Sequence, residues 1–292
     1  MLIFLFLSLC YIIAFYFSTI LTNYYSPLLM VGLRGLVAGS ILLTMQYITT
    51  KNIVGNIKQY KYQYLLAIFF GFLLPFILNS TILDQLPPVD ISVIATVEPV
   101  LTYLLAAYFF KEKLGKKQIF YLFFGTFFAF IAIIAEAGTE RISLISWQEP
   151  MVILIAIVFA IGWLAIEKLI RQKEPANVVT GLGLMFTGMI ATLLALRFGH
   201  TKFSVAVAPT ILFLLMVIFG DLIVSRIRAK IMNQYSATLL SLICIFSPFA
   251  IALYEEISKH THYSYKFFLI IIPSLICFVA FYREETKMHI KG

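Results

Sequence analysis

A 35-residue apolar stretch occurs twice in the chain. Its first copy is LLAIFFGFLLPFILNSTILDQLPPVDISVIATVEP at positions 65–99, and its second copy is LLMVIFGDLIVSRIRAKIMNQYSATLLSLICIFSP at positions 214–248. The copies align without a gap at an offset of 149 residues with ten identities, where about three would be expected from an apolar composition alone. The identities include Gly71 with Gly220. A repeat of this length predicts that the chain consists of two related halves.

The composition places the chain in a lipid bilayer. Of its 292 residues, 61% are hydrophobic and 12% are charged, whereas a soluble domain carries roughly a quarter charged residues. Its apolar segments are long enough for spanning helices and lack the alternation of barrel strands. We therefore predict an all-α integral membrane protein with ten transmembrane helices. The predicted spans are roughly 2–22, 28–49, 62–83, 88–110, 118–136, 150–171, 177–197, 208–230, 236–256 and 264–282.

Five predicted spans fall in each half of the chain, at 1–136 and 150–283, and each half contains one copy of the repeated stretch. An odd number of spans per copy places the second copy upside down in the membrane. The chain is therefore predicted to form a 5 + 5 inverted-topology repeat. Secondary transporters use this arrangement, with a binding site near the midplane between the repeats.

The distribution of basic residues predicts the orientation. Sixteen of the 22 Lys and Arg residues lie in the connections from even-numbered to odd-numbered spans or in the C-terminal tail. Because cytoplasmic loops are enriched in Lys and Arg, both termini are predicted to be cytoplasmic, in the inner or plasma membrane of the cell. The cations form short clusters between apolar runs, which is not the pattern of a nucleic-acid-binding face. The expected partners are the lipid bilayer and a small-molecule substrate.

Several motifs resemble those of a known family. They are Glu98-Pro99-Val100 in the fourth span, Lys111-Glu112-Lys113-Leu114 after it, Gly125, Arg34 in the second span and Trp163 in the sixth. With ten spans in under 300 residues, this pattern resembles the EamA type of the drug/metabolite transporter superfamily. The resemblance implies uptake or export of small metabolites and does not define the substrate.

Two carboxylates inside predicted spans are the first candidates for a site, because charges within a membrane are costly. Glu98 lies near the middle of its span beside Pro99, where it could bind a cationic group or carry a proton; the alternative is a structural ion pair with Arg34. Asp221 lies near the middle of the eighth span. Ser225 and Arg228 follow on the same face of a regular helix, so this face is predicted to line a cavity; the alternative is an Asp221–Arg228 pair.

The other candidates are aromatic or polar. Tyr11, Tyr103 and Trp163 lie in central turns of their spans, where they could stack on a substrate or simply pack against other helices. Asn79 corresponds to Arg228 at the offset of 149 and could polarise the opposite wall. Gly35-x-x-x-Gly39 fits a close contact between helices.

These residues predict a secondary active transporter of amino acids or related zwitterions, with Glu98 binding the ammonium and Arg34 or Arg228 the carboxylate. The alternative substrate is S-adenosylmethionine or another nucleoside-bearing metabolite. Two other classes stay open: an intramembrane hydrolase with Glu98 and Asp221 as an acidic dyad, and a channel. No catalytic constellation, cofactor motif or metal cluster is found in the sequence, and the oligomeric state is left open.

Overall fold

The structure is a computed structural model that describes residues 2–50, 57–82, 97–110, 115–137, 148–199, 201–232, 235–241 and 265–291. Within these ranges all regular secondary structure is helical. Two of the helices contain an internal π-helical segment. The helices are α1 (Leu2–Leu21), α2 (Pro27–Thr50), α3 (Lys61–Ile68, π-helix Phe69–Leu73, Leu74–Ile82), α4 (Glu98–Phe110), α5 (Lys116–Ala137), α6 (Gln148–Arg171), α7 (Ala176–Arg197), α8 (Val207–Val217, π-helix Ile218–Ile223, Val224–Met232), α9 (Ala237–Ser241) and α10 (Tyr265–Lys291).

The prediction of a multi-pass helical membrane protein is confirmed. Within the described ranges, six helices are long and apolar enough to cross a membrane. The start of the predicted fourth span and most of the ninth lie outside the described residues. The six candidate spans are Pro27–Thr50, Lys61–Thr81, Pro150–Arg171, Ala176–Arg197, Val207–Met232 and Tyr265–Glu284.

Helix α10 continues to Lys291, beyond the predicted end of its span at residue 282. The apolar pattern stops there, but the next residues are good helix formers. Lys287 Nζ donates to Glu284 Oε1 at 3.0 Å, one turn apart, which supports the polar extension. Hydropathy therefore predicted the membrane-spanning part of α10 and missed its polar end.

Two π-helical segments interrupt α3 and α8 at corresponding places. They begin at Phe69 in α3 and at Ile218 in α8, which are 149 residues apart. Gly71 and Gly220 occupy the third position of each segment. Pro75 follows the first segment, but Val224 stands at the corresponding place in α8, so proline does not cause both. Such π-helical turns are rare and frequently lie at functional sites.

The chain forms two compact units, and each takes helices from both predicted halves. The first unit contains residues 1–84 and 161–234, and the second contains residues 85–160 and 235–292. Neither the half at 1–136 nor the half at 150–283 is therefore compact by itself. That these two halves are copies of one repeat stays a prediction.

The first unit is built around the contact between α2 and α7. Gly32 faces Thr192 and Gly39 faces Met185, so the two helices are antiparallel. A Cβ atom on Gly35 would lie 2.5 Å from the backbone oxygen of Leu184. Small residues allow helix backbones to approach this closely in membranes. The close contact predicted from Gly35 and Gly39 is confirmed.

We expect Gly188→Ala to destabilise the protein by about 1–3 kcal/mol, as overpacking of a close contact does. Its new Cβ would lie 2.5 Å from the backbone nitrogen of Leu36, which cannot move without shifting α2. Thermal unfolding in detergent measures the effect. Ser40→Ala is the control because Ser40 is exposed on α2. Equal melting temperatures for the two variants would contradict the contact.

The second unit contains a contact between α5 and α10. Ser274 Oγ donates a buried hydrogen bond of 2.7 Å to the backbone oxygen of Gly125. These two residues are also 149 positions apart. A contact between corresponding residues is expected where a two-fold axis relates the two copies of a repeat.

Candidate functional site

A buried salt bridge joins α2 to the π-helical segment of α8. Arg34 Nε donates to Asp221 Oδ2 at 2.6 Å, and Arg34 Nη2 donates to Oδ1 at 2.9 Å. The Asp221 side chain is 4% exposed and that of Arg34 is 18% exposed. A Cβ atom on Gly220 would lie 3.0 Å from Arg34 Nη2 and 2.8 Å from Ala14 Cβ. The glycine therefore allows α1, α8 and the guanidinium to meet.

This salt bridge corrects one interpretation made from the sequence. Asp221 is the carboxylate that neutralises Arg34, and both of its oxygens bind Arg34, so the pairing of Asp221 with Arg228 is wrong. The ion pair weighed for Arg34 and Glu98 stays a prediction. The sequence argument assumed a regular helical period through Asp221, Ser225 and Arg228. The wider turn of the π-helix changes that register.

Aromatic rings lie beside two arginines of the first unit, Arg34 and Arg228. The Arg34 guanidinium carbon lies 5.8 Å from the centre of the Phe76 ring. The Arg228 guanidinium carbon lies 4.4 Å from the Trp163 ring and 5.8 Å from the Tyr11 ring. Tyr11 also lies within electrostatic range of Arg34. We call this set the charged cluster; its members are Tyr11, Arg34, Phe76, Trp163, Asp221 and Arg228.

The repeat is asymmetric at this place. At the offset of 149, Asp221 corresponds to Phe72, which is 2% exposed and packs on Gly183 of α7. At the corresponding position of α8, Asp221 lies beside Arg34 of α2. The same type of helix contact is thus apolar in one copy and ionic in the other. Because the corresponding residue is an apolar phenylalanine, the fold alone does not require a charged residue at position 221.

The indole of Trp163 is placed by a close approach of α6 to α3. A Cβ atom on the neighbouring Gly162 would collide with the backbone of Gly71, in the π-helical segment of α3. The backbones therefore touch directly at this point. Trp163 projects from a helix whose position is fixed by that contact, which suits a binding site.

Glu98 and Tyr103 lie in the second unit. The Tyr103 hydroxyl donates to Gln118 Oε1 at 3.0 Å and accepts from the backbone N–H of Gly115 at 3.0 Å. These bonds tie α4 to the start of α5, so the structure supports the packing interpretation of Tyr103. Glu98 is buried at 5% exposure, and its role in binding or proton transfer stays a prediction.

Asn79 lies on α3 and is half-buried. Within the described part of the chain, no hydrogen bond joins its side chain to Arg228. The sequence argument missed Phe76 and Gly220, which contribute to the cluster. Nothing in the sequence distinguished Phe76 among 28 phenylalanines, and Gly220 stood out only as a repeat identity.

Two further contacts lie near the helix ends of the first unit. Tyr64 donates to Glu174 Oε2 at 2.7 Å, and both side chains are buried. At the offset of 149, Tyr64 corresponds to Phe213 and Glu174 to Tyr25. The rings of Tyr25 and Phe213 are stacked with centroids 5.9 Å apart. Residues at corresponding positions are therefore in contact in two places, once through a hydrogen bond and once through stacked aromatic rings.

These observations define a multi-pass α-helical membrane protein with a buried charged cluster. Residues 1–134 match the model of the EamA-like transporter family. The match covers just under half of the chain and places residues 1–134 in that family, which is part of the drug/metabolite transporter superfamily. The resemblance inferred from the motifs is confirmed.

Solved structures show the same fold. One, titled "Crystal structure of protein", aligns with a TM-score of 0.75 at 15% identity, covering 98% of this chain and 97% of that chain. At this identity the likeness concerns the fold alone. The comparison with curated proteins gives no match.

Proposed function

We propose that the protein is a secondary active transporter that moves a small polar metabolite by alternating access. The proposed substrate is an amino acid or related zwitterion, and its movement is coupled to an ion or proton gradient or to exchange. The charged cluster carries the proposal, because charges held among aromatic rings between spanning helices are costly and are retained for a function. Membership of a transporter family supports it.

The offset of 149 residues supports a ten-helix inverted repeat, with both termini cytoplasmic. It recurs in the two π-helical segments, in the hydrogen bond from Ser274 to Gly125, and in the paired contacts at the helix ends. Inverted repeats provide alternating access when one set of helices rocks against the other around a fixed site. The substrate would then meet the charged cluster from either side in turn.

The alternatives differ in how well the cluster supports them. An aspartic hydrolase needs two carboxylates that share a proton, but both oxygens of Asp221 accept from Arg34. That observation argues against the dyad of Glu98 and Asp221. A nucleoside-bearing substrate such as S-adenosylmethionine is the second candidate, because Trp163 and Tyr11 offer faces on which a base could stack.

Purified protein in sealed proteoliposomes tests the proposal. Uptake of radiolabelled amino acids, S-adenosylmethionine and nucleosides is measured with and without a proton or sodium gradient, and by counterflow. We expect saturable accumulation of one of these classes above protein-free vesicles. Conductance without saturation would indicate a channel, and absence of any protein-dependent flux would refute the transporter proposal.

We also expect that crosslinking either pair of end contacts stops transport. The pairs are Tyr64 with Glu174 and Tyr25 with Phe213, each changed to cysteines in a background without the native cysteines. If one pair separates whenever one side opens, a short thiol crosslinker across either pair prevents the cycle. Counterflow before and after crosslinking measures the loss, which should exceed tenfold (an order-of-magnitude expectation for a gating step).

The four single-cysteine variants treated with the same reagent are the matched controls for that experiment. They should keep their flux, because one thiol cannot be bridged. Full transport with both pairs crosslinked would exclude these contacts as moving parts.

A further inference from the structure

The guanidinium of Arg228 lies deep among the spanning helices. It contacts Tyr11, the tenth residue of the 20-residue α1, and Trp163, which precedes the end of α6 at Arg171 by eight residues. At 1.5 Å per residue, both rings lie about 12 Å or more from the nearer helix end. Side chains on a helix lean toward its N-terminus. Arg228 therefore points along α8 toward Asp221 and not toward the helix end at Met232.

The charge of Arg228 has no counter-ion within the described residues. Salt bridges there join Arg34 to Asp221, Arg171 to Glu167 and Lys287 to Glu284. The Nε atom of Arg228 is buried and has no hydrogen-bond partner in the part of the chain that the structure describes. Two aromatic rings stabilise the cation but do not accept a hydrogen bond from this N–H in the plane of the guanidinium. Among the described residues, the charged cluster thus has one positive charge without a counter-ion and one unused donor.

Arg34 and Arg228 therefore differ in their capacity to bind a further anion. The guanidinium of Arg34 is occupied by the carboxylate of Asp221, whereas the Nε of Arg228 has no acceptor among the described residues. A planar guanidinium matches a carboxylate through two parallel N–H···O bonds. An incoming carboxylate would satisfy the orphaned N–H and neutralise the cluster at the same time.

We propose that Arg228 is the anion-binding group of the transport site and that the substrate carries a carboxylate or an equivalent oxyanion. The indole of Trp163 and the phenol of Tyr11 contact the part of the substrate next to that group. This inference rests on the proposed transporter function and narrows it, because amines without an anionic group are excluded. α-Amino acids and nucleoside-bearing amino acids share the required carboxylate.

Trp163 fluorescence provides a direct binding assay. In a Trp147→Phe background, the remaining tryptophan lies 4.4 Å from the Arg228 guanidinium carbon. The protein, purified in detergent free of phospholipid, is titrated with the twenty L-amino acids, S-adenosylmethionine and short dicarboxylates. Each carboxylate is paired with its amide or ester. We expect at least one carboxylate to change the emission saturably and its amide to bind about 100-fold more weakly.

Three variants test the assignment to Arg228. Arg228→Gln should lower the affinity for that carboxylate about 100-fold without lowering the melting temperature, because it removes an uncompensated charge. Arg228→Lys should bind with intermediate affinity, since it keeps the charge but loses the fork. Arg226→Gln is the control because Arg226 is exposed on the same helix; it should bind like the parent protein.

The outcomes separate this inference from the transporter proposal. Saturable transport of a compound without an anionic group would overturn the role of Arg228 and leave the transporter intact. Unchanged affinity in Arg228→Gln, or no emission change with any carboxylate, would overturn it as well. A carboxylate that binds through Arg228 but is never transported would instead refute the transporter. Quenching that appears only when anionic phospholipid is added would assign the group to a lipid phosphate and refute the substrate role.

Discussion

Asp221→Asn is expected to destabilise the protein by about 3–5 kcal/mol, the usual cost of removing one partner of a buried ion pair. The carboxylate is 4% exposed and accepts two short hydrogen bonds from Arg34. An asparagine leaves the guanidinium charged, buried and only partly hydrogen-bonded. We expect a large fall in melting temperature in detergent and little protein recovered from membranes.

The complementary variants separate charge from packing. Arg34→Gln should be similarly unstable, since it leaves Asp221 as a lone buried charge. The double variant Asp221→Asn with Arg34→Gln should recover most of the stability, because two amides can hydrogen-bond without a net charge. A double variant as unstable as the sum of the single variants would show that the two residues act independently.

Transport by the stable double variant then decides what the pair does. Loss of flux with recovered stability would mean that the charges themselves take part in coupling or binding. Full flux would mean that the salt bridge only holds α2 against α8. Because only one copy of the repeat has this ion pair, and Phe72 replaces Asp221 in the other, we expect the first outcome.

The multi-pass helical fold could be predicted because it follows from composition and length. A helix in lipid needs about 20 apolar residues, and the observed bounds of helices such as α7 (Ala176–Arg197) agree with the predicted span within a residue. The close contact of α2 with α7 was also visible, since Gly35 and Gly39 are spaced by one turn. These features depend on local sequence and need no knowledge of neighbouring helices.

The pairing of charges could not be predicted in the same way. It depends on which helices touch, and on a π-helical segment that shifts the face of Asp221 relative to Arg228. Hydropathy has no signal for that segment, because the residues of Ile218–Ile223 other than Asp221 are ordinary membrane residues. The repeat provided a clue that could have been used: Gly71 and Gly220 are retained in both copies, at the third position of each π-helical segment.

For a related reason, the sequence could not show which of the three aromatic candidates belongs to the charged cluster. Tyr11 and Trp163 contact Arg228, whereas the hydroxyl of Tyr103 is used by Gln118 and Gly115. All three occupy central turns of apolar helices, so their local sequence is equivalent. Only the tertiary contacts show that Tyr11 and Trp163 lie beside a cation, whereas Tyr103 forms hydrogen bonds at the start of α5.

Glu98→Gln is expected to abolish transport while the protein stays folded. Glu98 is 5% exposed, beside Pro99, in a helix of a membrane protein. Asp221 already neutralises Arg34, so Arg34 does not require Glu98 as its counter-ion. A buried carboxylate that binds a substrate ammonium or carries a proton loses that ability as an amide. We expect a loss of flux of at least about 100-fold, in the range found when a general acid–base group is removed.

Glu167→Gln is the matched control for Glu98→Gln. Glu167 is buried like Glu98, but it pairs with Arg171 at 2.6 Å, and that arginine is 41% exposed. Water can solvate Arg171 once its partner is lost, so the cost in stability is modest and flux should persist.

Counterflow, which needs no gradient, distinguishes the two roles of Glu98. If Glu98→Gln blocks gradient-driven uptake but allows counterflow, the carboxylate carries the coupling proton. If both stop, it binds the substrate. Normal flux in both assays would remove Glu98 from the transport mechanism, and the charged cluster around Arg34 and Arg228 would then have to supply both binding and coupling.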